Sequence, residues 1–186
     1  GQPVANTVYC GLYALQHRGQ ESAGIAVADG QEIRYHKDMG LVTECFHDGR
    51  DLADLGDGYA GIGHVRYSTC GASYVVNAQP LVVRTRSGCL ALAHNGNLLN
   101  AGHIRRLLEA QGVISQTSLD TEVIANLIAR YQEEGMVEAI RRTMGIIRGA
   151  YALVIMTADR LIGVRDPYGV RPLVLGRLGD AYMLAS

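Results

Sequence analysis

Between Asn100 and Ile147 the chain reads with helical periodicity three times over, and on both sides of that block it reads in short strand-like runs. Helices and strands therefore come in clusters rather than in βαβ alternation. That arrangement points to antiparallel sheets with helices layered against them, an α+β fold. Ahead of the block, Val8, Leu12 and Leu15 mark one face of a helix that Asn6 or Thr7 can cap. Its stop is expected at Arg18-Gly19, with the glycine in the left-handed conformation. Strands are expected over Gly24 to Ala28, Glu32 to His36, Leu41 to Cys45, Ala60 to Tyr67 and Cys89 to Ala93. Asp29-Gly30 and Asn95-Gly96 both read as hairpin turns. Inside the block, Asn100 and Ser118 are candidate caps. Ile104, Leu107 and Leu108, then Val123, Ile124, Leu127, Ile128 and Tyr131, then Met136, Ile140, Met144 and Ile147 form apolar stripes. Strands then return over Ala150 to Thr157, Leu161 to Val164, Leu173 to Gly176 and Tyr182 to Ser186.

The length of 186 residues suits one domain with a full core, and residues 1–186 are read as that single domain. A formal net charge of -1 gives no electrostatic case for nucleic acid or an anionic membrane. No apolar run approaches the length that spans a bilayer, and no charged-then-apolar leader opens the chain. Cys10, Cys45, Cys70 and Cys89 have neither C-x-x-C spacing nor a histidine at metal-ligand distance, so they read as free thiols of a reducing cytoplasm, most of them buried. Gly1-Gln2-Pro3 lacks a start methionine, and the final strand-like run carries no stop signal. The chain is thus expected to be cut at both ends.

Three places carry residue types that suit a small zwitterion. Arg66, at the end of an apolar run and flanked by His64, Tyr67 and Ser68, offers a planar fork for a carboxylate; a structural ion pair is the plain alternative. Asp120, in the sequence Ser118-Leu119-Asp120-Thr121-Glu122, can accept from an ammonium group or simply stabilise a helix start. Asn95 and Gly96 can present a side-chain amide and a backbone N–H to one developing negative charge, or simply turn the chain. The polar run Gln16 to Ser22 reads as a solvated loop. Cys10 falls within the first helix pattern with no neighbouring base, so it reads as structural.

Taken in order, six motifs resemble the N-terminal class II glutamine amidotransferase domain of the amidophosphoribosyltransferase family, along the whole chain. They are Leu15 to Gly24, Gly63 to Thr69, Leu92 to Leu98, Ser118 to Glu122, Arg148 to Ala152 and Arg165 to Leu173. The resemblance implies a four-layer αββα sandwich of the N-terminal-nucleophile hydrolase type, with mainly antiparallel sheets. It implies a glutaminase in which an N-terminal cysteine, with its own α-amino group as base, attacks the side-chain amide of glutamine. The ammonia then displaces pyrophosphate from phosphoribosyl pyrophosphate in a second domain, the opening step of de novo purine synthesis. Carried over by position, Arg66 binds the α-carboxylate, Asp120 the α-ammonium, and Asn95 with Gly96 forms the oxyanion hole. Arg18 matches an arginine near the nucleophile, and Tyr67 a residue that moves on closure.

The departure is the nucleophile. The family's cysteine belongs upstream of Gly1, and Cys10 does not align with it. The chain alone is expected to be inactive and to bind glutamine weakly at most. No cofactor is implied here; Mg2+ and, in parts of the family, a 4Fe-4S cluster belong to the C-terminal portion, and the parent enzyme is implied to be a homo-oligomer. Three other readings stand beside this one. The glutaminase half of glucosamine-6-phosphate synthase would favour a tryptophan where Tyr67 stands. A non-catalytic glutamine-binding module would have lost its cysteine by descent. An unrelated hydrolase using Cys10 would leave all six motifs unexplained.

Overall fold

The computed structural model describes residues 3–67 and 73–186. Ser68, Thr69 and Cys70 of the sequence reading lie outside the described residues. Nine strands and six α-helices are present among the described residues. Helix α1 (Val4–Ala14) leads into β1 (Ser22–Ala28) and β2 (Ile33–Met39), then α2 (Val42–Cys45), α3 (Gly49–Ala53) and β3 (Ala60–Arg66). Strands β4 (Leu81–Thr85) and β5 (Gly88–Leu98) precede α4 (Ala101–Glu109), α5 (Asp120–Tyr131) and α6 (Met136–Ile146). The chain continues through β6 (Gly149–Met156), β7 (Leu161–Arg165), β8 (Val174–Leu178) and β9 (Ala181–Ala185). The sheets run β2-β1-β3, β4-β5-β6-β7 and β8-β9, and every pairing is antiparallel.

Strand alternation explains why the two larger sheets stack. On β3, Gly61 and Gly63 turn toward α1: a Cβ at Gly63 would stand 2.7 Å from Val8 and 2.8 Å from Leu12. Ile62, one position over, faces the other way and joins Ala26, Ala28, Ala91, Ala93 and Met156 in a layer between the sheets. On β5 and β6 the opposite set, Leu90, Leu92, Tyr151, Leu153 and Ile155, packs under α4, α5 and α6 with Ile124, Ile128 and Ile140. On the outer side of the first sheet, Leu12, Ile25, Val42 and Phe46 make a third cluster. The order is helices, sheet, sheet, helices. The α+β expectation, with four αββα layers, holds.

Several local expectations do not. Helix α1 starts at Val4 after Pro3, so Asn6 and Thr7 lie inside it. The chain passes from α1 through a 3-10 turn at Gln16–Arg18, and Gly19 is extended at φ -170°. Glycine is needed there because a Cβ would stand 2.6 Å from the Arg66 carbonyl carbon. Leu41 to Cys45 contains a helical turn instead of a strand: Gly40 takes φ +109°, and the Glu44 carboxylate accepts from the Leu41 N–H at 2.7 Å. Asp29 and Gly30 belong to a four-residue connection, in which one Asp29 oxygen accepts from the N–H groups of Gln31 and Glu32. Asn100 precedes α4, but its side chain holds Ile146 O and Arg148 N instead of capping. Ser118 does not cap α5 either; Leu119 holds that position, and Ser118 Oγ accepts from Asn77. Of the three described cysteines only Cys45 is buried, while Cys10 is exposed on α1 and Cys89 is half-buried.

Leu107 was expected on the apolar side of α4 with Leu108, yet it is 51% exposed and Leu108 4%. Leu108→Ala should therefore cost about 2–5 kcal/mol, and Leu107→Ala at most about 0.5 kcal/mol. Urea unfolding of the two variants separates them, and equal losses would contradict this placement.

Candidate functional site

Strand β5 is longer than the sequence suggested, and the extra length makes the site. Asn95-Gly96 is not a turn. Both residues lie in the strand, Asn95 opposite Ala152 and Gly96 opposite Tyr151 on β6. Gly96 sits at φ +152°, and a Cβ there would stand 2.1 Å from Ala150 O, so the ladder admits only glycine. The other edge of β5 is paired to β4 only as far as Leu92. Beyond that point side chains take over. The Gln79 amide oxygen accepts from His94 N at 2.7 Å, and an Asp120 oxygen accepts from Leu98 N at 3.0 Å. By strand alternation the Gly96 N–H points to this same edge, between the two capped positions. Asn95 stands beside it, with its amide donating to Ser186 Oγ at 2.8 Å.

Asp120 is the first residue of α5, where a negative charge is favoured. Its second oxygen lies 3.2 Å from His94 Nδ1. Burial alone would raise its pKa. The hydrogen bond and charge of His94, with the N–H groups of Leu98 and Thr121, outweigh burial and hold the carboxyl below its ordinary range.

Arg66 ends β3, buried, and its Nη1 meets Glu21 Oε1 at 2.6 Å. The Glu21 N–H also donates to Arg66 O. The ion pair that the sequence left as an alternative is therefore present, and Glu21, read as part of a solvated loop, is its partner. His64, half-buried on β3, is desolvated, and this loss of hydration, together with the charges of His94 and Arg66, pushes its pKa down to about 3. Arg66, His64, His94 and Asp120 thus form one electrostatically connected group, with Asn95 and Gly96 next to it on β5. Tyr67 and Arg18 are exposed, Tyr67 just past β3 and Arg18 at the end of the 3-10 turn. No contact among the described residues draws these two into the group. Gln79 and Glu21 were missed by sequence reasoning, and His64 was noted beside Arg66 without a role. Only for Glu21 was there a signal, a carboxylate one residue before a strand that pairs with Arg66.

Two surface hollows lie elsewhere. One of about 310 Å³ is lined by Leu108, Gln111, Asn126 and Arg130, and one of about 250 Å³ by Ile140, Met144 and Ile162. Among the described residues, no three His, Cys, Asp or Glu side chains gather as metal ligands would. No helix of the described residues is long and apolar enough to cross a membrane.

A family model described as "Glutamine amidotransferase domain" matches residues 64–186. The amidophosphoribosyltransferase of Methanocaldococcus jannaschii is 52% identical over 176 residues, covering 94% of this chain and 37% of the relative. That of Bacillus subtilis is 49% identical over 179 residues, covering 96% of this chain and 37% of the relative. The solved structure of glutamine phosphoribosylpyrophosphate amidotransferase from Bacillus subtilis, complexed with ADP and GMP, superposes with a TM-score of 0.90 at 46% identity. That superposition covers 98% of this chain and 39% of the other. The chain therefore spans well under half the length of the proteins it matches.

His64 generates a test of the electrostatics. As pH falls through 6.5, the ordinary value, the unfolded chain protonates this ring, while the native protein does not until about 3. The stability that the neutral ring contributes is present above 6.5 and drains away between 6.5 and about 3. His64→Gln should flatten that part of the stability profile, measured as the urea midpoint at either end of the window. An unchanged slope would mean the ring titrates normally.

Proposed function

Because the chain belongs to the family of glutamine amidotransferase domains, we propose that residues 1–186 are the glutamine-binding, ammonia-releasing part of an amidophosphoribosyltransferase. The observation that carries this reading is the edge of β5, which among the described residues has no strand partner beyond Leu92. The Gly96 N–H, the neighbouring Asn95 side-chain amide and the oriented Asp120 carboxylate stand along the stretch from His94 to Leu98, with the buried Arg66 on the adjoining sheet.

In this proposal Arg66 receives the α-carboxylate of glutamine and Asp120 its α-ammonium. One cation and one anion are what a zwitterion requires, and both are held by neighbours before substrate arrives. The side-chain carbonyl of the substrate then lies at Asn95 and Gly96. A cysteine thiolate outside residues 1–186 attacks that carbonyl carbon. The carbonyl electrons move onto oxygen, where the Asn95 amide and the Gly96 N–H stabilise the charge. The intermediate collapses by expelling the amide nitrogen, which takes up a proton and leaves as ammonia. Water hydrolyses the remaining thioester to glutamate and regenerates the cysteine. The ammonia is consumed outside this chain, displacing pyrophosphate from phosphoribosyl pyrophosphate. Magnesium, any iron–sulfur cluster and oligomer contacts belong, in this reading, to that remaining portion. Similarity to amidophosphoribosyltransferases across the chain favours this assignment over the glucosamine-6-phosphate synthase alternative.

The test is made on the full-length gene product. It should release pyrophosphate from phosphoribosyl pyrophosphate in the presence of glutamine. Asp120→Asn removes a charged hydrogen-bond acceptor, worth about 1.5–3 kcal/mol, and should lower kcat/KM for glutamine by about 10- to 100-fold. Glutamine binding without turnover would instead favour a non-catalytic binding module.

A further inference from the structure

His94 does not pack like its neighbours. On β5 the preceding residues of the same face, Leu90 and Leu92, are wholly buried in the apolar cluster beneath the helices. A third leucine would continue that face. Instead a histidine stands there, 4% exposed, with its Nε2 buried and without a hydrogen-bond partner among the described residues. A buried ring nitrogen left unpaired is a cost that packing alone does not explain. The compensation is at Nδ1, which lies 3.2 Å from Asp120 Oδ1 and 3.3 Å from Thr121 Oγ1. An ionised carboxylate only accepts, so Nδ1 carries the proton and donates. The other Asp120 oxygen is held by the Leu98 N–H. Both oxygens are thus fixed by one strand, and the residues between those two contacts include Asn95 and Gly96.

We propose that His94 is a positioning residue for glutamine recognition: its Nδ1–H fixes the Asp120 carboxylate in the orientation that reads the substrate's α-ammonium. This rests on the glutamine reading above. A histidine that only filled space would support the fold and leave the choice between ligands unaltered. A histidine that orients Asp120 affects only ligands that carry the ammonium group.

The experiment compares binding of L-glutamine with that of 4-carbamoylbutanoate, the same molecule without its α-amino group, by titration of the full-length protein. Wild type should prefer glutamine. His94→Leu should reduce that preference about tenfold by weakening glutamine alone, as expected for a disturbed charged hydrogen bond. His94→Asn, whose amide can donate from the Nδ1 position, should keep the preference within about threefold of wild type. If the leucine variant does not fold, His94→Gln replaces it, because its amide reaches the Nε2 position and leaves Asp120 without its donor. A leucine or glutamine variant that weakens both ligands equally, or neither, overturns the proposal. Wild type that binds 4-carbamoylbutanoate as well as glutamine shows a different failure, that of Asp120 as the ammonium seat, and the role of His94 falls with it.

Discussion

The pairing of β5 with β6 is the interaction on which the rest depends. It runs in register from Ala91 opposite Met156 to Leu98 opposite Gly149. Its inner half is ordinary core, with leucines on one face and alanines on the other. Its outer half is unusually close. A Cβ on Gly96 would stand 2.1 Å from Ala150 O, and one on Gly149 would stand 2.3 Å from Asn97 O. The same ladder therefore serves two purposes along its length. Apolar burial anchors it at one end, and close backbone contact at the other fixes polar groups on a rigid element. A site on a strand so anchored holds its geometry better than one on a loop.

The two sheets are also tied by polar contacts at this end. Lys37 on β2 donates from Nζ to Ala78 O at 2.6 Å, and burial lowers its pKa. The connection it grips carries Gln79, whose side chain closes onto His94 N in the other sheet. Gly24 on β1 permits this approach, because a Cβ there would stand 2.5 Å from Gln79 O. So a lysine on an outer strand, through one short connection, bears on the position of β5. Arg66 reaches the same region from β3, steadied by Glu21. Charged groups at this depth are expensive unless each has a partner, and Arg66 with Glu21 and Asp120 with His94 meet that requirement.

Much of the architecture was legible in the sequence. Helices α5 and α6 and strands β1 and β6 carry long, regular apolar patterns, and their burial follows those patterns. Strand β4 and the short helix α3 were not foreseen, having only five residues each. Leu41 to Cys45 has apolar residues suited to a strand, but a backward reach by Glu44 decided for helix. The most instructive miss is Asn95-Gly96. Locally this dipeptide is a strong turn signal. Here Tyr151 and Ala152 across the ladder impose extension, a long-range constraint that no window of sequence displays. The same applies to His94, Gln79 and Glu21, whose partners lie 26, 15 and 45 positions away; those separations follow from Asp120, His94 and Arg66. The candidate residues Arg66, Asn95, Gly96 and Asp120 came from motif order. Their supporting contacts needed three dimensions.

An exposed strand edge ordinarily invites another strand, since its unpaired N–H and C=O groups are a template for pairing. Among the described residues the edge of β5 beyond Leu92 has no strand partner, but Gln79 and Asp120 stopper it at His94 and Leu98. From His94 to Leu98, with three residues between them, the extended chain spans about 13 Å. That length admits one small molecule and is too short to nucleate a ladder. The two side chains therefore turn a potential aggregation edge into a socket of fixed length, so that size exclusion is set by the backbone before any specific contact is made.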